Sequence, residues 1–421
     1  SVLEGRQGII FAQQTDDGLA FAPAGYKGSG DSGNAFLHRK ALGLENIGSW
    51  TGRIIEAESK SDEATDGDTG LANVFKEGDV LFGKLRPYLA KACHAPRDGT
   101  CSTELLVMRP TEALHPRFLL YSLLTPDFVG SVDASTFGAK MPRANWDFIG
   151  SLEIRLPPID TQSIIAAYLD RETARIDGLV AEKQRMLALL EEKRAALISC
   201  VVTRGLDPNA LLKPSGQEWL GEIPAHWRVE RAKNLFTVRD ERSEDGSEEL
   251  LTVSHITGVT SRSEKDVYMF EADDKAGYKR CMSDDLAINT LWAWMGAMGV
   301  SPLAGIVSPD YHVYTSKGEL LTNYVDLLCR SRPFVAEVSR WSKGVWSSRL
   351  RLYPENFLEI RLPVPPHEEQ LEIVRTVETD QRKASALRDN LQLSITLAKE
   401  RRAALITAAV TGQIPLEEMP G

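Results

Sequence analysis

The sequence predicts an α+β protein built twice over: two globular blocks, each followed by a long helix, with two helices that can pair with each other. Two observations predict it. Residues 194–203 read Arg-Ala-Ala-Leu-Ile-Ser-Cys-Val-Val-Thr, and residues 402–411 read Arg-Ala-Ala-Leu-Ile-Thr-Ala-Ala-Val-Thr, 208 positions later in a 421-residue chain. Each copy ends a charged, heptad-patterned segment, and each such segment follows Ile-Arg-Leu-Pro, at 154–157 and at 360–363. A long-period internal repeat sets the architecture before any local reading. It divides the chain into a block at 1–157, a helical segment at 158–212, a second block at 213–363 and a second helical segment at 364–421.

Composition narrows the class. Hydrophobic residues make up 43% and charged residues 26%, ordinary for a soluble globular protein. No apolar run reaches the roughly 18–20 residues a membrane span needs, so no membrane association is expected. No signal peptide is visible; the start at Ser1, without methionine, is compatible with a processed or truncated N-terminus. The five cysteines are scattered and form no C-x-x-C pair, which points away from structural zinc and towards a reduced, cytoplasmic setting. The net charge of −10 excludes a uniformly basic nucleic-acid binder. The four segments carry −4, −1, −3 and −2 in turn, so any phosphate-binding charge must be local.

The first block opens with Gly-rich loop sequence, Gly25-Tyr-Lys-Gly-Ser-Gly-Asp-Ser-Gly33. Ala41-Leu-Gly-Leu-Glu-Asn-Ile47 reads as a strand and the acidic stretch 56–70 as a loop. The turn Glu77-Gly-Asp79 leads into Val-Leu-Phe-Gly-Lys-Leu-Arg, a strand; Cys101–Arg109 is another. His115–Leu124 has helical spacing, 135–146 is a loop, and Leu152–Pro157 is a closing strand.

Pro157-Pro158 forces the first long helix to start after them, with Thr161 as a plausible N-cap. Leu169, Ile176, Leu190 and Leu197 share one heptad position, interrupted by Lys183, with Leu179, Val180, Met186 and Leu187 beside them. A continuous helix over 161–203 would span roughly 60–65 Å. A Pro/Gly-rich connector follows at 213–227, and its two tryptophans predict that it packs down. The second block expects strands at 250–256 and 303–307, a short helix near 323–340, a basic loop at 343–351 and a closing strand Leu358–Pro363. In the second helix, Val377, Ala384, Leu391, Ala398 and Leu405 stand seven apart.

No catalytic constellation is present. The seven histidines have no helical ligand spacing; there is no H-E-x-x-H, phosphate loop, dinucleotide turn or amino-methyltransferase Asn/Asp-Pro-Pro-Tyr/Phe tetrapeptide. Glu191-Glu-Lys193 is a solvated helix face, and His94 between Cys93 and Cys101 matches no common metal spacing. Catalysis, cofactor and metal are therefore not expected in this chain. Three segments instead combine cations, aromatics and loop character. They are Lys84, Arg86, Tyr88 and Lys91; then Lys140, Arg143, Asn145 and Trp146; then 330–351, with a local net of +5 and with Trp341 and Trp346 interleaved. Such groups suit phosphate and base-edge contacts. The candidate DNA-binding residues are Lys84, Arg86, Tyr88, Lys140, Arg143, Asn145, Lys343, Trp346, Arg349 and Arg351. The loops at 138–146 and 343–351 occupy corresponding places, each just before an Ile-Arg-Leu-Pro.

These residues resemble a family. Lys84-Leu-Arg-Pro-Tyr-Leu89 with Cys101-Ser-Thr-Glu104, Tyr168-Leu-Asp-Arg-Glu-Thr173, Trp219-Leu-Gly-Glu-Ile-Pro-Ala-His-Trp227, Glu369-Gln370 and the two Arg-Ala-Ala-Leu-Ile ends are similar to the DNA-specificity subunit of type I restriction-modification systems. The resemblance implies two target-recognition domains held apart by two long helices that form an antiparallel coiled coil, reading a bipartite site in double-stranded DNA. It further implies two docked methyltransferase subunits that carry S-adenosylmethionine, and endonuclease or translocase subunits that can join. Subunit contacts are expected where the repeat is small and apolar, at Ala195, Ala196 and Leu197 and at Ala403, Ala404 and Leu405. Residues 1–30 lack a counterpart of the connector at 219–227, a departure from the pattern. The rival readings are a self-contained DNA methyltransferase or nuclease with dispersed active-site residues, and a coiled-coil assembly protein with no DNA contact.

Overall fold

The computed structural model describes residues 42–55, 72–138, 140–264, 274–344 and 350–419. The expected loops at 25–33 and 56–70, and the candidates Trp346 and Arg349, lie outside them. The chain is α+β and forms two compact units, residues 1–183 with 393–421 and residues 184–392. The two long helices are Ile159–Arg204 and His367–Val410. Each contributes one part to each unit.

In the first unit, Val80–Gly83 is the central strand of three, flanked by Ala92–His94 and Leu105–Met108, all antiparallel. Its four residues are all buried, as a short aliphatic run covered on both faces should be. The turn before it is closed by Asp79, which is buried and accepts a fork from Arg109 (Nε 3.0 Å, Nη2 2.9 Å). A two-bond guanidinium–carboxylate pair offsets the cost of burying the charge. Helices Pro116–Leu123 and Pro126–Ala134 cover the sheet. Their apolar faces share one core with Ile165 and Leu169 of the first long helix and Ile406, Ala409 and Val410 of the second. Asp177 pairs with Arg402 at 2.9 Å. Residue numbers rise along one helix as they fall along the other, so the helices run antiparallel.

In the second unit, the sheet order is Met298–Val300, Leu286–Asn289, Tyr311–Ser316, Phe236–Arg239, again antiparallel. Helices Thr322–Arg330 and Arg332–Trp341 pack on it. Ile198, Val201 and Val202 of the first long helix and Ile373, Val374 and Val377 of the second complete that core. Lys193–Asp380 (3.6 Å) and the Glu191–Arg388 pair repeat the antiparallel sense.

The repeat is one of contacts as well as of letters. Gln162 is fully buried; its Oε1 accepts from His115 N (2.8 Å), and its Nε2 donates to Ala113 O (2.9 Å) and Pro157 O (2.7 Å). Gln370 is also fully buried and makes the same set, with Leu321 N (2.8 Å), Glu319 O (3.0 Å) and Pro365 O (2.9 Å). One amide thus satisfies three backbone groups at the entry to each helix, where the chain itself offers no partners.

Several expectations are corrected. The described part of the expected strand Ala41–Ile47, from Leu42 on, is not a strand: Leu44–Asn46 is a 3₁₀ turn, tightened because Asn46 Oδ1 accepts from Gly43 N. The helix begins at Ile159, ahead of Thr161, which is therefore not its N-cap. The helix expected near 323–340 is two, broken at Ser331, because Pro333 can neither donate to the preceding turn nor fit inside a helix. Of the two closing strands only Arg361–Val364 is paired among the described residues; Leu358 and Glu359 end a helix, and Leu152–Pro157 is neither helix nor strand. In the heptad stripe, Leu169 and Ile176 are buried, whereas Leu179 and Met186 are about half exposed (48% and 54%). Trp227 of the connector is fully buried, as its composition predicts.

Candidate nucleic-acid interface

Two separated loops of the first unit are zipped into one surface. Arg86 N donates to Pro142 O (2.7 Å), Ala144 N to Lys84 O (2.9 Å), and Phe137 exchanges two backbone bonds with Arg143. Lys84, Arg86, Tyr88, Lys140, Arg143 and Asn145 are thereby brought together. Arg86 and Ala90 both have left-handed backbones (φ 50 and 45). That conformation costs a non-glycine residue on the order of 1 kcal/mol, a strain that clusters at functional sites. It turns Pro87–Leu89 outward as a 3₁₀ turn, leaving Arg86 and Tyr88 exposed.

The cations are not equivalent. Lys91 is committed to Leu44 O (2.6 Å) and Arg143 to Glu104 (2.8 Å). Lys84, Arg86 and Lys140 have no carboxylate partner among the described residues. Asn145 caps the helix Trp146–Ile149, accepting from Asp147 N (3.2 Å), so its oxygen is already occupied. Phe137 and Met141, which sequence reading left out, stand exposed at 65% and 49% on the same loop.

The second unit builds the same device from other residues. Lys343 and Arg351 exchange two backbone bonds (2.9 Å each), as Phe137 and Arg143 do. Leu352 N donates to Thr290 O (3.2 Å), as Ala144 N does to Lys84 O. The turn Ala293–Met295 stands where Pro87–Leu89 stands in the first unit, and Gly296 (φ 91) takes the place of Ala90. Trp292 and Trp294 therefore occupy the positions of Arg86 and Tyr88. Their rings stack at 6.2 Å and 22°, with Trp292 about half exposed (48%). Sequence reasoning missed this pair because no cation marks it. The signal was the repeat itself: position 292 lies 206 residues after Arg86, the same offset as between the Ile-Arg-Leu-Pro motifs. Nearby, Arg330, Arg332 and His255 help line a cavity of about 480 Å³.

The +5 charge of 330–351 is partly spent inside the fold. Arg340 forks onto Glu337 (2.9 Å twice), which is buried and also accepts from Trp341 Nε1 (2.8 Å); Arg330 pairs with Asp326 (3.2 Å). Lys343, Arg351 and Arg332 remain exposed.

The small-residue candidates divide by face. Leu197 and Leu405 pack against the cores of their units, whereas Ala196 and Ala404 are exposed, with Ala195 and Ala403 at the margin. Among the described residues there is no cluster of His, Cys, Asp and Glu able to hold a metal ion. Burial pushes the Cys93, Cys101 and Cys281 thiols up to about 12, which removes them as nucleophiles near neutral pH. No described helix is long and apolar enough to cross a membrane.

No protein-family model matches the sequence. Two curated relatives align with parts of it. The type I restriction enzyme EcoDI specificity subunit of Escherichia coli is 24% identical over 189 residues, 45% of this chain and 38% of that one. The type I restriction enzyme MjaVIII specificity subunit of Methanocaldococcus jannaschii is 24% identical over 139 residues, 33% of this chain and 30% of that one. The match thus spans well under half the length of either relative. A chain of the solved structure reported as the structural basis underlying complex assembly and conformational transition of the type I R-M system has the same fold, with a TM-score of 0.65 at 19% identity over 88% of this chain and 90% of that one. The relatives of this chain are type I restriction enzyme specificity subunits, and its fold is that of a chain from a type I restriction-modification structure.

Proposed function

We propose that this chain is the non-catalytic DNA-specificity subunit of a cytoplasmic type I restriction-modification complex. One observation carries the reading: both units present the same zipped pair of loops, just before equivalent segments, but arm them with different side chains. Lys84, Arg86 and Tyr88 in one stand where Thr290, Trp292 and Trp294 stand in the other. A shared frame with divergent tips is what two halves of a bipartite target require. Blocks 1–157 and 213–363 are the two target-recognition domains in this reading, and segments 158–212 and 364–421 the spacers that set the distance between half-sites. Exposed Ala196 and Ala404 offer two similar surfaces to two methyltransferase subunits, which supply S-adenosylmethionine and the methylating chemistry. Endonuclease or translocase subunits join that core.

The test is methylation by the purified chain mixed with its methyltransferase. One bipartite sequence should be modified, and replacing residues 40–150 with a homologue's block should change one half-site only. An unchanged target would sink the proposal. Binding of S-adenosylmethionine by the isolated chain would favour a self-contained enzyme instead.

A further inference from the structure

We infer that Arg402 is a positioning residue for the recognition turn of the first unit: acting through Trp50, it fixes the backbone that presents Arg86 and Tyr88. The inference deepens the reading of those two side chains as DNA contacts and rests on it. Its observation is a chain of hydrogen bonds in the first unit that has no counterpart among the described residues of the second.

Arg402 opens the second Arg-Ala-Ala-Leu-Ile, yet its side chain is buried. Nη1 donates to Trp50 O (2.7 Å) and Nη2 to Thr51 O (2.8 Å), with the Asp177 carboxylate 2.9 Å from Nε as counter-charge. Asp177 also pairs with Arg53 (3.2 Å), so the guanidinium and its carboxylate grip one turn at two points. Trp50 then reaches the recognition turn twice. Its backbone N–H donates to Ala90 O (3.1 Å) and its indole Nε1 to Tyr88 O (3.2 Å). The carbonyls of Arg86 and Pro87 are taken within the turn by Leu89 N and Ala90 N; Trp50 takes two that remain. Trp50, Arg86 and Ala90 all have left-handed backbones (φ 61, 50 and 45). Non-glycine residues persist there only where their surroundings over-determine them. The bonds from Trp50 and Arg402 do that here.

The second unit builds its turn without this clamp. Leu42 and Leu250 make equivalent parallel bridges, to Cys101 and Ile306. Eight residues after each stand Trp50 and Gly258, both left-handed (φ 61 and 71). Gly258 has no indole to offer the turn Ala293–Met295. Arg194 stands in the place of Arg402, but its side chain is 40% exposed, lies 3.8 Å from Glu191, and leaves Nε without a partner among the described residues. The turn there closes through Gly296, for which a left-handed backbone carries no strain. Where the first unit has Ala90 instead, the helix supplies the restraint. Fixing Arg86 and Tyr88 before DNA arrives lowers the ordering cost of their contacts.

Two variants cut the chain of bonds at different links. Trp50→Phe keeps a ring against the core but cannot donate to Tyr88 O. Arg402→Lys keeps a charge beside Asp177 but cannot fork onto two carbonyls. The assembled complex is titrated with a duplex carrying the sequence that it methylates, at several salt concentrations. Each variant should weaken binding by about threefold or more and reduce the salt slope, as Arg86→Ala should. In a background of Arg86→Ala with Tyr88→Ala, neither should weaken binding further. Hydrogen exchange of the free chain should speed up at 86–91 and stay unchanged in Ala293–Met295. Trp50 lies off the helix that carries Ala404, so matching losses from both variants exclude impaired subunit docking. Intact affinity in either variant, equal losses in the two backgrounds, or unchanged exchange at 86–91 overturns the inference alone. If Arg86→Ala with Tyr88→Ala leaves binding intact, the reading of those residues as DNA contacts falls, and the inference with it.

Discussion

Gln162 accepts the backbone N–H of His115 at 2.8 Å from within a fully buried site, and it holds two backbone carbonyls with the same amide. Replacing it with alanine strands one donor and two acceptors away from water. Each buried unsatisfied group costs about 1–3 kcal/mol, so Gln162→Ala should lower the stability of the first unit by roughly 3 kcal/mol or more. Gln162→Glu should be no better, since a carboxylate cannot donate to Ala113 O and Pro157 O. Hydrogen exchange read peptide by peptide checks this. Protection should fall in Pro116–Leu123 and be unchanged in Thr322–Arg330, and Gln370→Ala should give the mirror pattern.

The zipped loops of the first unit make a prediction about salt. Lys140 has no carboxylate partner among the described residues, whereas Arg143 is paired with Glu104. If Lys140 neutralises a phosphate, Lys140→Ala should weaken binding of all DNA sequences and reduce the slope of log K against log salt by about 0.9. Glu104→Gln should act in the opposite sense by releasing Arg143. Duplex titrations at several salt concentrations, using the assembled complex, decide this; an unchanged slope for Lys140→Ala removes it from the interface.

Much of this was legible in the sequence, and the reason is periodicity. Heptad spacing gave the helices to within a few residues, and the repeated Ile-Arg-Leu-Pro placed the loops at 138–146 and 343–351 at equivalent points. Failures came where local chemistry competes with pattern. Asn46 turned an aliphatic stretch into a 3₁₀ turn, and Pro333 split one helix into two. At the candidate site, counting cations could not separate Lys140 from Lys91, Arg340 or Arg330, which are already engaged by Leu44 O, Glu337 and Asp326. Nor could it find Trp292, which carries no charge. Which side chains are free is set by long-range partners such as Glu337 and Asp326, and spacing does not encode those.

Trp292 and Trp294 stack at 6.2 Å on the turn where the first unit has Arg86 and Tyr88. Where a duplex step opens to admit the ring, aromatic stacking on a base contributes about 1–3 kcal/mol, is nearly independent of salt, and tolerates different bases. Trp292→Ala should therefore weaken DNA binding roughly 5- to 150-fold without changing the salt slope, whereas Arg86→Ala should change it. Titration of both variants at low and high salt separates the two modes. A salt-dependent loss at Trp292 would point to disturbance of neighbouring cations instead of lost stacking.

His312 links stability to pH in the second unit. Its Nδ1 lies 3.2 Å from the Lys279 ammonium, which also donates to Tyr311 O (2.7 Å). Burial, and then Lys279, push the imidazole down to about 4, against weaker opposing pulls from Glu355, Asp240 and Asp310. In the unfolded chain it titrates near 6.5. Between those values the unfolded state takes up a proton that the native state refuses. The stability this neutral histidine contributes is thus present above about pH 6.5, declines as pH falls, and levels off below about 4. His312→Gln keeps an acceptor for Lys279 but cannot titrate. Denaturant unfolding at pH 7 and pH 4.5 should show a smaller loss on acidification for the variant than for the parent chain. The carboxylates titrate in both proteins, so the difference between them isolates His312, and equal losses would mean that its ring is protonated in the native state.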